Sequence, residues 1–186
     1  LKQLGDFHGR IWHKGIPHNG VVKDWIRSSI RLEGEQRKLY QYGALPSKGA
    51  IINKRYGYIR VPGIQMGPTD SAKACAIRKA ILDIDKKHRP KAWIVDLRLN
   101  GGGTMWPMLA GLSDLLGEGP NGSFYDPNDS SNAYWIVKNH DIWVDTTWEA
   151  TKYQVGKLGK SKVDLSKVPI VVLTSRLTSS SGEVVT

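Results

Sequence analysis

The stretch AWIVDLRLNGGGT, Ala92 to Thr104, constrains the fold more than any other part of this chain. Its start is almost unbroken apolar sequence, the pattern of a strand buried on both faces, and three consecutive glycines then turn the backbone. A helical pattern lies on either side. Asp70 to His88 places Ala74, Ile77, Ile81 and Ile84 on one face at three- and four-residue spacing. Thr69 or Asp70 is available as its cap, and KKHRP brings cations into the last turn before Pro90 stops it. After the glycines, Met105, Met108, Leu109, Leu112 and Leu116 recur at helical spacing, with Gly117 placed to end the helix. YGYIRV, from Tyr56, supplies a preceding strand rich in β-branched and aromatic residues. Strand, helix, strand, helix predicts an α/β fold: a layered parallel or mixed sheet with right-handed βαβ crossovers.

The remaining chain divides around that core. Residues 1–55 form a divergent front segment in which GRIW and RKLYQYGAL read as short strands. Residues 56–186 form the α/β core, with a variable insertion at about 120–168 where GSFY, AYWIV, DIWVD and TKYQV suggest an antiparallel extension. VPIVVLTS reads as a final buried strand leading into TSSSGE. With 186 residues and 40% hydrophobic content, one sizeable core is expected and a second domain is not. The chain stops where the next helix should begin, so an incomplete catalytic domain is expected.

Charge and cysteine content narrow the chemistry. Lys plus Arg total 27 against 17 Asp plus Glu, a net charge of +10, which favours anionic membrane or cell-surface partners at long range. The basic residues are scattered rather than gathered in a stripe with interleaved aromatics, so nucleic acid is disfavoured. The single Cys75 excludes an internal disulfide and a cysteine zinc cluster. The histidine spacings do not form a His-Glu-x-x-His pattern, and no metal or cofactor is expected.

Two constellations carry reactive groups. Ser179, Ser180 and Ser181 sit at a strand-to-helix turn, where unpaired helix-start amides face the site; a serine there needs a base and oxyanion donors to act as a nucleophile. The same cluster also reads as a helix cap, with Glu183 returning a hydrogen bond three residues on. Asp96, Arg98 and Asn100 lead into Gly101–Gly103, a turn suited to close backbone approach, an anion nest or an oxyanion arm.

Four segments in order, LGDFHGRI, YGYIRVPGI, VDLRLNGGGTMWPMLAGLSDLLGEG and PIVVLTSRLTSSSGE, together resemble the S41 serine peptidases, the family of C-terminal processing and tail-specific proteases, nearest the PDZ-less, nisin-resistance-protein-like branch. The resemblance implies a ClpP/crotonase-like protease core and endopeptidase activity on peptide or protein substrates, without a cofactor. It makes Ser180 the nucleophile and His8 the general base. It assigns Gly102 or Gly103 and the Ser181 amide to the oxyanion, with Glu183, Thr178, Asp96, Arg98 and Asn100 supporting. Ser179 stands where the family usually has Ala, and Gly182 gives the last turn added freedom. An extracytoplasmic location is implied. Noncatalytic family members make a peptide- or lipid-binding module on the same fold the alternative.

Overall fold

The computed structural model describes residues 10–13, 16–19, 45–126, 129–145, 150–153, 163–175 and 177–186. The chain divides into two compact units, Leu1–Arg31 and Leu32–Thr186. In the first, β1 (Arg10–His13) and β2 (Ile16–Asn19) form an antiparallel hairpin, and the expected strand GRIW falls on β1. His8 and most of the expected strand RKLYQYGAL lie outside the described residues.

The second unit contains the expected core. β3 (Lys48–Ile52) and β4 (Tyr56–Arg60) pair antiparallel. α1 (Asp70–His88) crosses to β5 (Ala92–Asp96), which lies parallel to β4. α2 (Met105–Leu116) then leads into an antiparallel sheet of β6 (Gly119–Asp126), β7 (Asp129–Lys138), β8 (Asp141–Asp145) and β9 (Ala150–Tyr153). The chain returns as β10 (Ile170–Leu173), parallel to β5, and ends in the short α3 (Ser181–Val184). The central sheet therefore has the order β10-β5-β4-β3 and is mixed. Because β4, β5 and β10 run the same way, the loops that leave their carboxyl ends emerge at one edge, the usual position of a site in an open α/β sheet.

Both main helices have the expected bounds, but their surroundings add what periodicity did not show. Ala74, Ile77 and Ile81 of α1 are buried; Thr69 makes no side-chain cap at its start, and its far end closes at Arg89, in the left-handed region at φ 45°. Ten of the twelve α2 residues are buried, so α2 is a central helix rather than a one-sided surface one. It packs against α1 on one side and against β7 and β8 on the other. Trp93, Ile59, Leu97, Met108 and Ile142 are among the fully buried side chains of the hydrophobic cluster that results among the described residues.

Three expectations need correction. The strand AWIVDLRL ends at Asp96, because Leu97 to Asn100 turn away; Trp93 and Val95 are buried and Ala92 and Ile94 only partly so. VPIVVLTS is not a buried strand: β10 is the edge of the central sheet, and Val171 is 54% exposed. The strands read at GSFY and AYWIV are longer than expected, since β6 runs on to Asp126 and β7 already starts at Asp129. β3, unanticipated, completes the sheet as an edge strand whose alternation is too weak to read.

A charged group at the centre of this packing needs a partner. The Asp114 side chain on α2 is fully buried, and Arg78 of α1 meets it with Nε–Oδ2 2.7 Å and Nη2–Oδ1 3.3 Å. His140, at the β7–β8 turn, brings Nδ1 to 3.3 Å from Asp114 Oδ1, so one carboxylate joins both helices to the second sheet. Removing one member strands a buried charge. Asp114→Ala is expected to lower unfolding free energy by about 3–5 kcal/mol in urea titration. The double variant Arg78→Met/Asp114→Leu should lose much less than that.

Candidate active site

The site grows from the carboxyl end of β5. Asp96 is buried there, and a buried carboxylate must be hydrogen-bonded. Arg98 supplies its main-chain N–H to Oδ1 (3.0 Å), Nε to Oδ1 (2.9 Å) and Nη2 to Oδ2 (2.8 Å), and Tyr58 of β4 donates its hydroxyl to Oδ2 at 2.7 Å. Burial pushes the Asp96 carboxyl up, but the bonds from Arg98 and Tyr58 and the guanidinium charge outweigh it and hold the group below its ordinary range. Tyr58 moves the other way: burial, its bond to Asp96 and the carboxylate charge push its phenol up to about 12. Asp96 and Arg98 thus close on each other and brace the start of the turn.

Asn100 is the next fixed point, with no exposed surface. Its amide nitrogen donates to Val61 O (3.2 Å) and approaches Met108 Sδ (3.3 Å), while its Oδ1 accepts the Gly102 N–H at 3.0 Å. Its own carbonyl accepts the Ser179 N–H at 3.1 Å. One side chain and its backbone therefore tie β4, α2, the glycine turn and the serine segment. Gly102 and Gly103 have φ of +96° and +111°, values costly for any other residue. A Cβ on Gly103 would lie 2.0 Å from Ile64 O, and one on Gly102 would lie 2.7 Å from Ser180 Cβ.

The serine segment is stitched onto this turn by its hydroxyls. Ser175 Oγ donates to Arg98 O (2.6 Å), Thr178 Oγ1 to Leu97 O (2.9 Å) and Ser181 Oγ to Gly103 O (2.6 Å). These bonds answer the composition of TSRLTSSS: three of its six hydroxyls fasten one loop to another. Ser180 is different. It adopts φ 54°, ψ −127°, a sparsely populated region for a residue with a side chain, at a cost of about 1–3 kcal/mol. Its amide donates to Glu183 Oε2 at 2.8 Å, and its carbonyl accepts the Glu183 N–H at 2.9 Å. The capping role expected of Glu183 is therefore present alongside the strained serine, and the two roles are compatible.

Gly182 was expected to add freedom to this turn. Its actual contribution is close approach, since a Cβ there would lie 2.6 Å from Asn100 O and 2.8 Å from Asn100 Oδ1.

The fold brings together Ser180, Ser181, Gly102, Gly103, Asn100, Thr178 and Glu183. Asp96 and Arg98 stand one step back, at the end of β5, and His8 lies outside the described residues. Of the candidate oxyanion donors, the Gly102 amide is taken by Asn100 Oδ1. The amides of Gly103 and Ser181 have no acceptor among the described residues. Sequence reasoning missed Tyr58, Ser175 and Ile64. The hydroxyl density around Ser175 was a usable signal, whereas Tyr58 and Ile64 become partners only through the β4–β5 register.

Two outcomes follow from these bonds. Asn100→Ala leaves the Val61 carbonyl and the Gly102 amide without their partner and is expected to cost about 1–3 kcal/mol, read by denaturant unfolding. The Tyr58 contribution is complete below pH 10, the ordinary phenol value, and is lost as pH rises towards about 12. Wild-type stability measured from pH 9 to 11.5 should therefore fall more steeply than that of Tyr58→Phe; parallel curves would remove Tyr58 from this role.

The chain is similar to known proteins. The family model described as Peptidase family S41 matches residues 55–186, most of the chain. The nisin-resistance protein of Lactococcus lactis subsp. lactis is 36% identical over 97 residues, covering 52% of this chain and 28% of that protein. A solved structure described as a lipoprotein from Streptococcus agalactiae superposes with a TM-score of 0.55 at 22% identity, over 79% of this chain and 46% of that one, a likeness of fold. The chain thus spans less than half the length of either relative. With its β5 glycine turn, its serine segment and the match across residues 55–186, the chain belongs to peptidase family S41.

Proposed function

We propose that this protein is a serine-type endopeptidase in which Ser180 Oγ attacks the carbonyl carbon of a peptide bond. The observation that carries the reading is the strained Ser180 conformation, which holds the residue against Gly102 at the start of α3. Strained side-chain-bearing residues at a strand-to-helix turn are a recurrent device for presenting a nucleophile. The base takes the Ser180 proton as the bond forms, and the Ser181 and Gly103 amides receive the oxyanion. The base then protonates the departing amine, and water, deprotonated by the same base, releases the acyl group. Family resemblance assigns the base to His8.

Asn100 acts by positioning. By occupying the Gly102 amide it fixes the orientation of the next peptide, whose N–H is the one available for the oxyanion. The finer likeness of the core to the ClpP/crotonase arrangement belongs to this reading and is supported by the parallel β4-β5-β10 edge. Substrates are peptides or proteins. The net charge of +10 and the lipoprotein relative support work outside the cytoplasm at an anionic cell surface.

A fluorophosphonate probe should label Ser180 in the intact protein, and Ser180→Ala should lower peptide hydrolysis on the order of 10⁴–10⁶-fold with unchanged unfolding. Full cleavage by the alanine variant sinks the assignment. Absence of labelling favours the noncatalytic peptide- or lipid-binding alternative. A fully active His8→Ala variant moves the base to another residue.

A further inference from the structure

Ile64, four residues past the end of β4, makes one isolated parallel bridge to the glycine turn. Its N–H donates to Gly102 O at 3.1 Å, and its carbonyl accepts the Thr104 N–H at 2.7 Å. The Ile64–Gln65 peptide is trans, so the Gln65 N–H points opposite to the Ile64 carbonyl and away from the glycine turn, and no partner among the described residues takes either the N–H or the C=O of Gln65. Gln65 is exposed, and Met66, at 84%, is the most exposed large hydrophobic side chain described. An open main-chain donor and acceptor and an apolar side chain thus stand directly beside Gly103, which adjoins the glycine that touches Ser180.

We propose that Gln65 and Met66 form a substrate rail, on which the peptide lies extended, its main chain pairing with the N–H and C=O of Gln65 and an apolar side chain resting on Met66. The inference rests on the serine-peptidase reading and adds how the substrate is held. An endopeptidase must present a scissile carbonyl at a fixed angle to its nucleophile, and main-chain pairing along a strand edge does so without requiring one sequence. Two observations specify a peptide rather than a small ester. The open groups are one donor and one acceptor on one residue, matching one residue of a peptide, and the adjoining side chain offers dispersion contact without charge. Gly67 and Pro68 follow, and the Gly67 carbonyl accepts the Asp70 N–H at 3.2 Å, so the rail is anchored between the glycine turn and the start of α1.

The test uses the intact protein and two probes of Ser180: a small fluorophosphonate, and a diphenyl phosphonate carried by acetyl-Ala-Ala-Leu-Ala. The quantity read is the ratio of their second-order labelling rates. Gln65→Pro removes the N–H, and the ratio of peptidyl to small-probe labelling should fall about tenfold, the loss of one or two hydrogen bonds in a shielded site. Gln65→Ala keeps the N–H, and its ratio should fall by less than threefold. A second arm leaves the protein unaltered: each amide of the peptidyl probe is N-methylated in turn, and one position should lose about tenfold in rate on wild type but little on Gln65→Pro.

An unchanged ratio in Gln65→Pro overturns the rail, as does an N-methyl series with no sensitive position. If the small probe fails to label wild type, the serine reading fails by itself. The rail is then read from fluorescence polarisation of the fluorescein-labelled tetrapeptide, where equal binding to wild type and Gln65→Pro rejects it and a tenfold weaker variant upholds it.

Discussion

The arrangement around Ser180 depends on a buried carboxamide. Asn100 has no access to water, so each of its polar atoms must find a partner inside the protein, and those partners belong to four different segments. Val61 comes from just past β4, Met108 from α2, Gly102 from the glycine turn and Ser179 from the serine segment. Leaving any of these groups unsatisfied in a dry interior is unfavourable, so the four segments have one mutually consistent arrangement. Gly182 completes it by having no side chain to hold α3 away from Asn100.

The strain at Ser180 makes sense against that background. A residue stays in a sparsely populated backbone region only where its surroundings over-determine it. Here the surroundings are three hydroxyl bonds from Ser175, Thr178 and Ser181 to the β5 loop, with the Glu183 carboxylate on the Ser180 amide. The loops that carry these groups start from parallel strands whose positions are set by the core. The Arg78–Asp114 pair extends the same logic across the molecule, joining α1 to α2 with His140 bringing the second sheet against them. The site is thus rigid for the same reason the core is: buried polar groups with specific partners.

Much of this was legible from one-dimensional signals, and the failures have physical causes. α1 and α2 have the bounds that their apolar spacing and their Pro90 and Gly117 stops imply, since helix periodicity and termination are local properties. β10 was misread because an apolar run looks the same whether its strand lies at the centre or the edge of a sheet. The ends of β5 and β7 were misplaced because a strand stops where its neighbours stop pairing, which its own residues do not encode. At the candidate site, the segments that carry Ser180, Glu183 and the three glycines stood out because each occupies a recognisable place in a family pattern. Tyr58 was not, because its bond to Asp96 links residues 38 positions apart.

The order of residues was therefore sufficient for the α/β class, the two core helices, the glycine turn and the serine segment, all of which follow from periodicity, turn chemistry and family pattern. Three-dimensional packing assigned the individual roles. It turned the hydroxyls of Ser175, Thr178 and Ser181 into fasteners, gave the Gly102 amide to Asn100 while leaving that of Gly103 without an acceptor among the described residues, and made Gly182 a contact point rather than a hinge. Such roles depend on which groups meet across distant segments in a space without water, and that matching exists only once β4, β5 and β10 lie side by side.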